Sequence, residues 1–239
     1  MDNAYRHCEA LVRVADKDRF LATLFAPAER RPALFALYAF NAELAAVGER
    51  VREPMAGEIR LQWWRDALSG ERTGEATANP VAAALLDTIT RHALPVTPLL
   101  NMVEARSFDL YDDPISTLET LEAYLAAISS SVMALAARIL AGEHPAITEA
   151  ARVAGLAYGM SRMRRAARPR VTVPDLATQA AAHLAAFEAL LPRLLAPATP
   201  AFLPVALVRG DLARNDVPQW RRQWTLWRAA RRYERTMKG

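Results

Sequence analysis

The chain has 239 residues, of which 52% are apolar and 23% charged, a composition typical of a globular protein rather than a disordered one. Because Cys8 is the only cysteine, an intrachain disulfide and a cysteine-rich metal site are excluded. The net charge of +4 favours an anionic partner. Since no nucleic-acid-binding motif accompanies the charge, we expect a phosphorylated ligand or anionic lipid, and no nucleic acid.

Apolar residues recur with helical periodicity through nearly the whole chain, and no segment alternates as a β-strand would. Clusters of Pro, Gly and Asp separate the periodic segments, and the connections are short. We therefore expect a single all-α domain over residues 1–239, with its helices packed around a central space and a basic helix at 217–239. The predicted helices span residues 4–15, 17–25, 28–50, 56–69, 80–92, 97–110, 116–141, 146–167, 175–195, 200–213 and 218–237.

The first residues lack the basic-then-apolar order of a secretory signal. The longest uncharged stretch, residues 123–137, is shorter than the about 20 residues that a membrane-spanning helix needs. These features predict a soluble or peripheral protein in the cytoplasm, with the inner face of the membrane as the place of any peripheral contact.

Six ordered blocks of sequence resemble the squalene/phytoene synthase family, and the resemblance covers most of the chain from about residue 15 to 175. They lie at residues 18–27 (DRFLATLFAP), 38–41 (YAFN), 58–68 (EIRLQWWRDAL), 106–113 (RSFDLYDD), 121–124 (LEAY) and 155–159 (GLAYG). The resemblance implies an all-α fold of the isoprenoid-synthase type around a central cavity. It also implies head-to-head condensation of two prenyl diphosphates, with Mg²⁺ held by Asp-x-x-x-Asp motifs on two facing helices.

Residues four apart share one helix face, so each such motif can present two carboxylates to Mg²⁺, which prefers oxygen ligands and neutralises a departing diphosphate. Aligned on the family's blocks, the first aspartate pair falls on Ala45 and Glu49 and the second on Ala166 and Arg170. Arg162 replaces a family asparagine. Because one carboxylate cannot organise several ions, we predict no metal and no cofactor. Mg²⁺ is expected only if the chain is an active synthase.

The chain looks closer to a divergent branch of the family, with which it shares Tyr-Ala-Phe-Asn and Gly-Glu-Ile-Arg-Leu-Gln-Trp-Trp-Arg. That branch includes a mitochondrial assembly factor for respiratory complex I. The resemblance implies an accessory or assembly factor for a membrane respiratory complex, with a respiratory subunit as partner and an isoprenoid or lipid as ligand. The alternative is an active prenyltransferase, and no catalytic residue is assigned.

A run of arginines marks the second motif, and no acidic residue occurs from residue 150 to 174. Guanidinium groups bind phosphate oxygens in pairs, so Arg162 and Arg165 are candidate ligands for a diphosphate without metal. The alternative is a solvated helix end, where cations also complement the helix dipole. The run comprises Arg162, Arg164, Arg165, Arg168 and Arg170.

A second set of polar residues lies near the first motif. Asn41 and Glu43 precede it, Glu49 ends it, and Glu58 and Gln62 share one helical face, so these five residues are candidates to line the former cavity. The alternative is hydrogen bonding that satisfies polar groups near the core.

Two neighbouring blocks are interpreted as structural. Trp63 and Trp64 are adjacent and point to different faces, so we expect core packing rather than ligand contact. Residues 112–114 form a typical turn, and we favour that interpretation over metal binding by Asp109 and Asp113.

The C-terminal helix combines an aromatic stripe with many cations. Trp220, Trp224 and Trp227 fall on one face. Such a helix can lie on anionic lipid as a peripheral membrane contact, or it can pack its stripe on its own bundle. Because most amphipathic helices of globular domains face their own core, we favour packing on the bundle. The cations are Arg221, Arg222, Arg228, Arg231, Arg232 and Arg235.

Overall fold

The computed structural model describes residues 1–50, 53–111, 113–165, 171–214 and 217–236, with the side chains of Arg50 and residues 234–236 excepted. Within these ranges most residues are helical and none forms a strand, and one isolated β-bridge joins Ile115 to Val171. The predicted all-α class is confirmed. The chain packs into two compact units, and the expectation of a single domain over residues 1–239 stays a prediction.

The first unit comprises residues 1–20 and 27–113. Its helices are α1 (Asp2–Ala15), the start of α2 (Lys17–Thr23), α3 (Arg31–Arg50), α4 (Pro54–Ser69), α5 (Thr73–Ala78), α6 (Pro80–His92) and α7 (Val96–Ser107), followed by a 3₁₀ turn (Phe108–Leu110). Helix α3 is central, because it contacts α1, α4, α6 and α7. Residues 33–41 of α3 are all buried, which explains why this helix is apolar on every side.

The second unit comprises residues 21–26 and 114–239. Its helices are α8 (Leu118–Leu125), a π segment (Ala126–Ser130), α9 (Ser131–Ala141), α10 (Pro145–Arg165), α11 (Leu176–Leu190), α12 (Thr199–Phe202), α13 (Val208–Ala213) and α14 (Gln219–Thr236). Three 3₁₀ turns (Leu191–Arg193, Ala196–Ala198 and Leu203–Leu207) connect the later helices. Helix α10 is central and contacts α8, α9, α11 and α13.

The path Leu118–Ala141 runs through α8, the π segment and α9, and by length and composition it is long and apolar enough to cross a membrane. However, 61% of its most apolar window is buried inside the protein. A helix buried to this extent is typical of a protein core, so its hydropathy is explained by packing around α10.

Two glycines let α10 approach this path closely. A Cβ at Gly155 would collide with the backbone of Ser130, in the π segment, and a Cβ at Gly159 would lie 2.7 Å from the Cδ2 of Leu125. Ser130 Oγ donates a hydrogen bond to the carbonyl of Arg152, 2.9 Å away, which ties the π segment to α10. The block at 155–159 is therefore a structural contact between two helices of the second unit.

Several predicted boundaries differ from the structure for local reasons. Helix α5 was missed because its six residues are too few to show a period. The helix predicted at 200–213 is divided into α12, a 3₁₀ turn and α13, since Pro204 supplies no backbone donor inside it. The helix predicted at 175–195 ends at Leu190 and continues as a 3₁₀ turn that contains Pro192.

We expect Gly155→Ala to lower the free energy of unfolding by about 1–3 kcal/mol, because the new methyl group overpacks against backbone that cannot rotate away. Urea denaturation monitored by circular dichroism measures the change. Gly210→Ala is the matched control in the same unit, since its Cβ would lie 4.0 Å from Val217 Cγ2. The control should be neutral or stabilising by up to about 1 kcal/mol. Equal destabilisation by both substitutions would contradict the close approach.

Candidate functional site

The first motif lies on the second half of α3. Asn41 is 8% exposed, whereas Glu43 and Ala45 are half-buried and Glu49 is exposed. Burial, reinforced by the charge of Glu43, raises the pKa of the Cys8 thiol to about 12. Glu43 therefore acts electrostatically on α1 inside the first unit.

The same end of α3 touches the 3₁₀ turn that follows α7. A Cβ built at Gly48 would lie 3.0 Å from both the Cβ and the carbonyl oxygen of Asp109, so the absence of a side chain permits this contact. Arg106 forms an ion pair with Asp109 at 2.8 Å, and both side chains are largely buried. Asp109 is thus engaged in holding the turn, while Asp113 is exposed and Asp112 lies outside the described residues.

Glu58 and Gln62 share one face of α4, and each has a partner in the first unit. Tyr111 Oη donates to Glu58 Oε1 at 3.3 Å. Gln62 Nε2 donates to Asp66 Oδ1 at 2.6 Å, and Arg65 Nη1 donates to Gln62 Oε1 at 3.1 Å. These hydrogen bonds match the structural alternative for the two residues, and their role in binding a substrate stays a prediction.

The network around Gln62 extends along the exposed surface of α4 and α5. Arg72 Nε donates to Asp66 Oδ2 at 2.9 Å, and this hydrogen bond, with that from Gln62, lowers the pKa of Asp66. Arg72 also pairs with Glu75, which accepts a hydrogen bond from Trp63 Nε1 at 3.1 Å. These contacts link α4 to α5 and leave the carboxylates solvated.

Of the two adjacent tryptophans, Trp64 packs in the core as the sequence predicted, whereas Trp63 does not. Trp64 is 4% exposed and packs edge-on against Phe40, with ring centroids 4.9 Å apart. Trp63 is half-buried and lies edge-on to Trp64 at 5.0 Å. Trp64 thus belongs to the core of the first unit.

The second motif lies at the C-terminal end of α10. Arg162 is exposed, donates from Nη1 to Tyr158 Oη at 3.1 Å, and lies over the Tyr158 ring at 5.6 Å. Arg164 Nη2 donates to the backbone carbonyls of Asp211 and Leu212 at 2.8 and 2.9 Å. Ala166, Arg168 and Arg170 lie outside the described residues.

A fully buried carboxylate on α13 pairs with Arg165, and the backbone carbonyls beside it accept from Arg164. Asp211 is 0% exposed and forms ion pairs with Arg222 of α14 at 2.5 Å and with Arg165 at 3.2 Å. Arg222 is itself 3% exposed, and its Nη2 also reaches Asp211 Oδ2 at 3.3 Å. One buried acid therefore joins α10, α13 and α14 within the second unit.

This cluster was not predicted, and it changes the interpretation of the arginine run. Arg165 pairs with an acid on another helix, whereas Arg162 contacts Tyr158 one turn back on α10, so the two candidates differ in their surroundings. One signal for the cluster was available in the sequence. Arg222 lies on the same helical face as Leu226 and Tyr233, and this spacing indicated that its guanidinium is on the inner face. Both neighbours are buried in the structure.

The residues at the expected metal positions do not fit a multi-ion magnesium site. Ala45 offers no oxygen ligand, Glu49 is a single exposed carboxylate, and the described end of α10 presents guanidinium groups. Among the residues that the structure describes, no three His, Cys, Asp or Glu side chains are grouped so that they could hold a metal ion.

Helix α14 places its aromatic stripe in solvent. Trp220, Trp224 and Trp227 are 63%, 55% and 42% exposed. The expectation that the stripe packs on the bundle is therefore wrong. The helix packs through the opposite face, whose buried residues are Arg222, Leu226, Ala229, Ala230 and Tyr233.

We expect Asp211→Asn to lower the free energy of unfolding by about 3–5 kcal/mol, because it leaves the buried guanidinium of Arg222 without a countercharge. Thermal and urea denaturation measure the loss. Glu188→Gln is the control in the same unit, since it removes the largely solvated pair with Arg209 and should cost at most about 1 kcal/mol. A loss for Asp211→Asn no larger than that of the control would show that the cluster is not stabilising.

Solved structures with the same architecture establish the fold. A dehydrosqualene synthase crystallised with ligand superposes with a TM-score of 0.79 at 18% identity, covering 98% of each chain. A squalene synthase from Alicyclobacillus acidocaldarius gives a TM-score of 0.60 at 19% identity, covering 99% of this chain and 92% of that one. At these identities the likeness concerns the fold alone, and the predicted isoprenoid-synthase-type fold is confirmed.

Proteins that match by sequence are more similar to this chain than the solved structures are. The bovine NADH dehydrogenase (ubiquinone) complex I assembly factor 6 is 32% identical over 174 residues, which are 71% of this chain and 52% of that protein. Its rat counterpart is 29% identical over an alignment of 245 positions, gaps included, which covers 89% of this chain and 74% of that protein. A 15-cis-phytoene synthase from Synechococcus elongatus is 28% identical over 135 residues, covering 55% of this chain and 42% of that protein.

The chain spans about half the length of the bovine and human assembly factors that it matches. The family model for squalene/phytoene synthase matches residues 12–171, well over half of the chain. The resemblance predicted from the sequence is confirmed, and the chain belongs to the squalene/phytoene synthase family.

Proposed function

We propose that this protein is an accessory factor in the assembly of a membrane respiratory complex and that it has lost Mg²⁺-dependent condensation of prenyl diphosphates. The observation that carries the proposal is its likeness to complex I assembly factor 6. The human protein is 33% identical over 160 residues, or 67% of this chain. Under this proposal a subunit of the respiratory complex is the partner.

The chemistry of the former metal positions supports the loss of condensation. Departure of diphosphate needs concentrated positive charge, which the family supplies as Mg²⁺ held by carboxylates. Here the first position carries Ala45, and the second helix ends in arginines, of which Arg165 is paired with buried Asp211. Guanidinium groups repel divalent cations, so the end of α10 disfavours an ion cluster.

The proposal extends to a ligand. We propose that this protein binds an isoprenoid or a lipid chain without converting it. Arg162 is the candidate contact for a phosphate group, because it is exposed at the end of α10. Asn41, Glu43, Glu49, Glu58 and Gln62 remain candidate contacts on the first unit.

We expect deletion of the gene in its source organism to lower the amount of assembled NADH dehydrogenase complex several-fold. Blue-native electrophoresis with in-gel NADH oxidation measures the assembled enzyme. The abundance of succinate dehydrogenase should stay unchanged, which separates an assembly defect from a general loss of respiratory membrane. Expression of the wild-type chain from a plasmid should restore the complex. Unchanged levels in the deletion strain would contradict the assembly role.

The second candidate function is an active prenyltransferase of the squalene/phytoene synthase type. It is favoured by the likeness to 15-cis-phytoene synthase from Synechococcus elongatus. In that case Mg²⁺ would be the cofactor, bound by groups other than those at the expected positions.

We expect no condensation product from farnesyl or geranylgeranyl diphosphate with Mg²⁺, because Ala45 and the arginines of α10 cannot replace the carboxylate clamp. Product extraction and mass spectrometry measure the outcome, with an authentic phytoene synthase as the positive control. A product that forms only when Mg²⁺ is present would establish the second candidate and overturn the claim of lost catalysis.

A further inference from the structure

The most unusual surface among the described residues is the outward face of α14. Three of the five tryptophans in the chain lie within eight residues and are all exposed. The rings of Trp224 and Trp227 stack with centroids 4.9 Å apart and an interplanar angle of 19°. We name this surface the tryptophan face, and it comprises Trp220, Trp224, Trp227, Arg221, Arg228, Arg231 and Arg232.

The arginines of the tryptophan face lie beside the rings. Arg221 lies over the ring of Trp220 and Arg231 over that of Trp227, each 5.1 Å from the centroid. Arg228 and Arg232 are also exposed. Every charged residue that we name in this face is an arginine, and the next acidic residue along the chain is Glu234.

The opposite face fixes the direction of the tryptophans. Because successive helical residues turn by about 100°, Trp224 and buried Leu226 lie about 160° apart around α14. Arg222 anchors the buried side through its pair with Asp211, and Tyr233 packs against Phe187 with ring centroids 6.3 Å apart. Rotation that would bury the tryptophans would break these contacts, so the face is held outward by the fold.

The chemistry of the face fits a membrane surface better than a protein partner. Indole rings carry an apolar body and a polar N–H, which suits the headgroup layer of a bilayer. Guanidinium groups pair with lipid phosphates. Tryptophan and arginine are also enriched in protein–protein interfaces, but four exposed arginines, two of them over the rings, call for an extended anionic surface, which a bilayer supplies. The single sign of charge requires an anionic surface.

We propose that α14 attaches this protein peripherally to an anionic lipid bilayer. The three indole rings enter the headgroup layer, and the four exposed arginines contact phosphate groups. The inference goes beyond the assembly role, since it concerns where the protein resides and holds for either candidate function. Under this proposal, the arginines of the tryptophan face act at the surface of the bilayer, whereas the composition indicated only an anionic partner.

Co-sedimentation with vesicles tests the proposal on the full chain. Wild-type protein should pellet with vesicles of phosphatidylcholine mixed with phosphatidylglycerol, and added salt should weaken the association. The variant W220A/W224A/W227A should bind roughly ten-fold or more weakly, because it loses the inserted rings. The variant R221Q/R228Q/R231Q/R232Q should lose the preference for phosphatidylglycerol over pure phosphatidylcholine.

The matched control is M55A/I59A, which removes two exposed apolar side chains from α4, on the first unit, and should bind like wild type. Circular dichroism checks that every variant is folded, as expected for exposed positions. Equal pelleting of the tryptophan variant and wild type would overturn the proposal. So would an absence of wild-type binding. If the tryptophan variant lost the assembled respiratory enzyme in cells while wild type ignored vesicles, the face would be a protein-binding surface and the assembly role would stand.

Discussion

The buried carboxylate of Asp211 is the interaction on which the second unit depends. It is fully enclosed, and its ion pairs with Arg165 and Arg222 join the end of α10 to α13 and α14. Taking these charges out of water is costly, so the cluster is stable only when each member keeps its partners. The same pairing sets the direction of Arg165 on α10 and holds Arg222 on the buried face of α14.

The end of α10 carries positive side chains at the place where the family's chemistry requires negative ones. A synthase collects divalent cations by facing carboxylates towards a diphosphate. In this chain the corresponding positions on α3 carry Ala45 and an exposed Glu49, and α10 ends in guanidinium groups. Guanidinium groups can bind phosphate oxygens without an intervening ion, which is the basis of the contact that we propose for Arg162. The fold is that of the solved synthases, and the charge pattern is the basis of our proposal that the chain binds a prenyl diphosphate without ionising it.

The all-α class was predictable because apolar periodicity is strong and local, and the family blocks identified the fold. The close contact of Gly155 with Ser130 was not predictable, since a glycine in a motif does not say which backbone it meets. Helix α5 was missed because six residues show no period. Pro204 accounts for the division of the helix predicted at 200–213.

For the site, the sequence located the arginines but not their partners. Asp211 follows Arg165 by 46 residues, and no spacing rule connects them. The tryptophan face was assigned to the wrong side of α14 because Arg222, a charged residue, occupies the inner face and makes the buried stripe look polar. A buried arginine with a distant acid conceals the amphipathic pattern on which such predictions depend.

Calorimetric titration of the purified protein with a non-hydrolysable analogue of farnesyl diphosphate, with and without Mg²⁺, measures whether diphosphate binding needs a metal ion. We predict that the affinity for the analogue does not increase when Mg²⁺ is present and falls when Arg162 is changed to Gln. An affinity that rises steeply with Mg²⁺ and is indifferent to Arg162 would mean that the chain still assembles a metal cluster around diphosphate, and the account would be wrong.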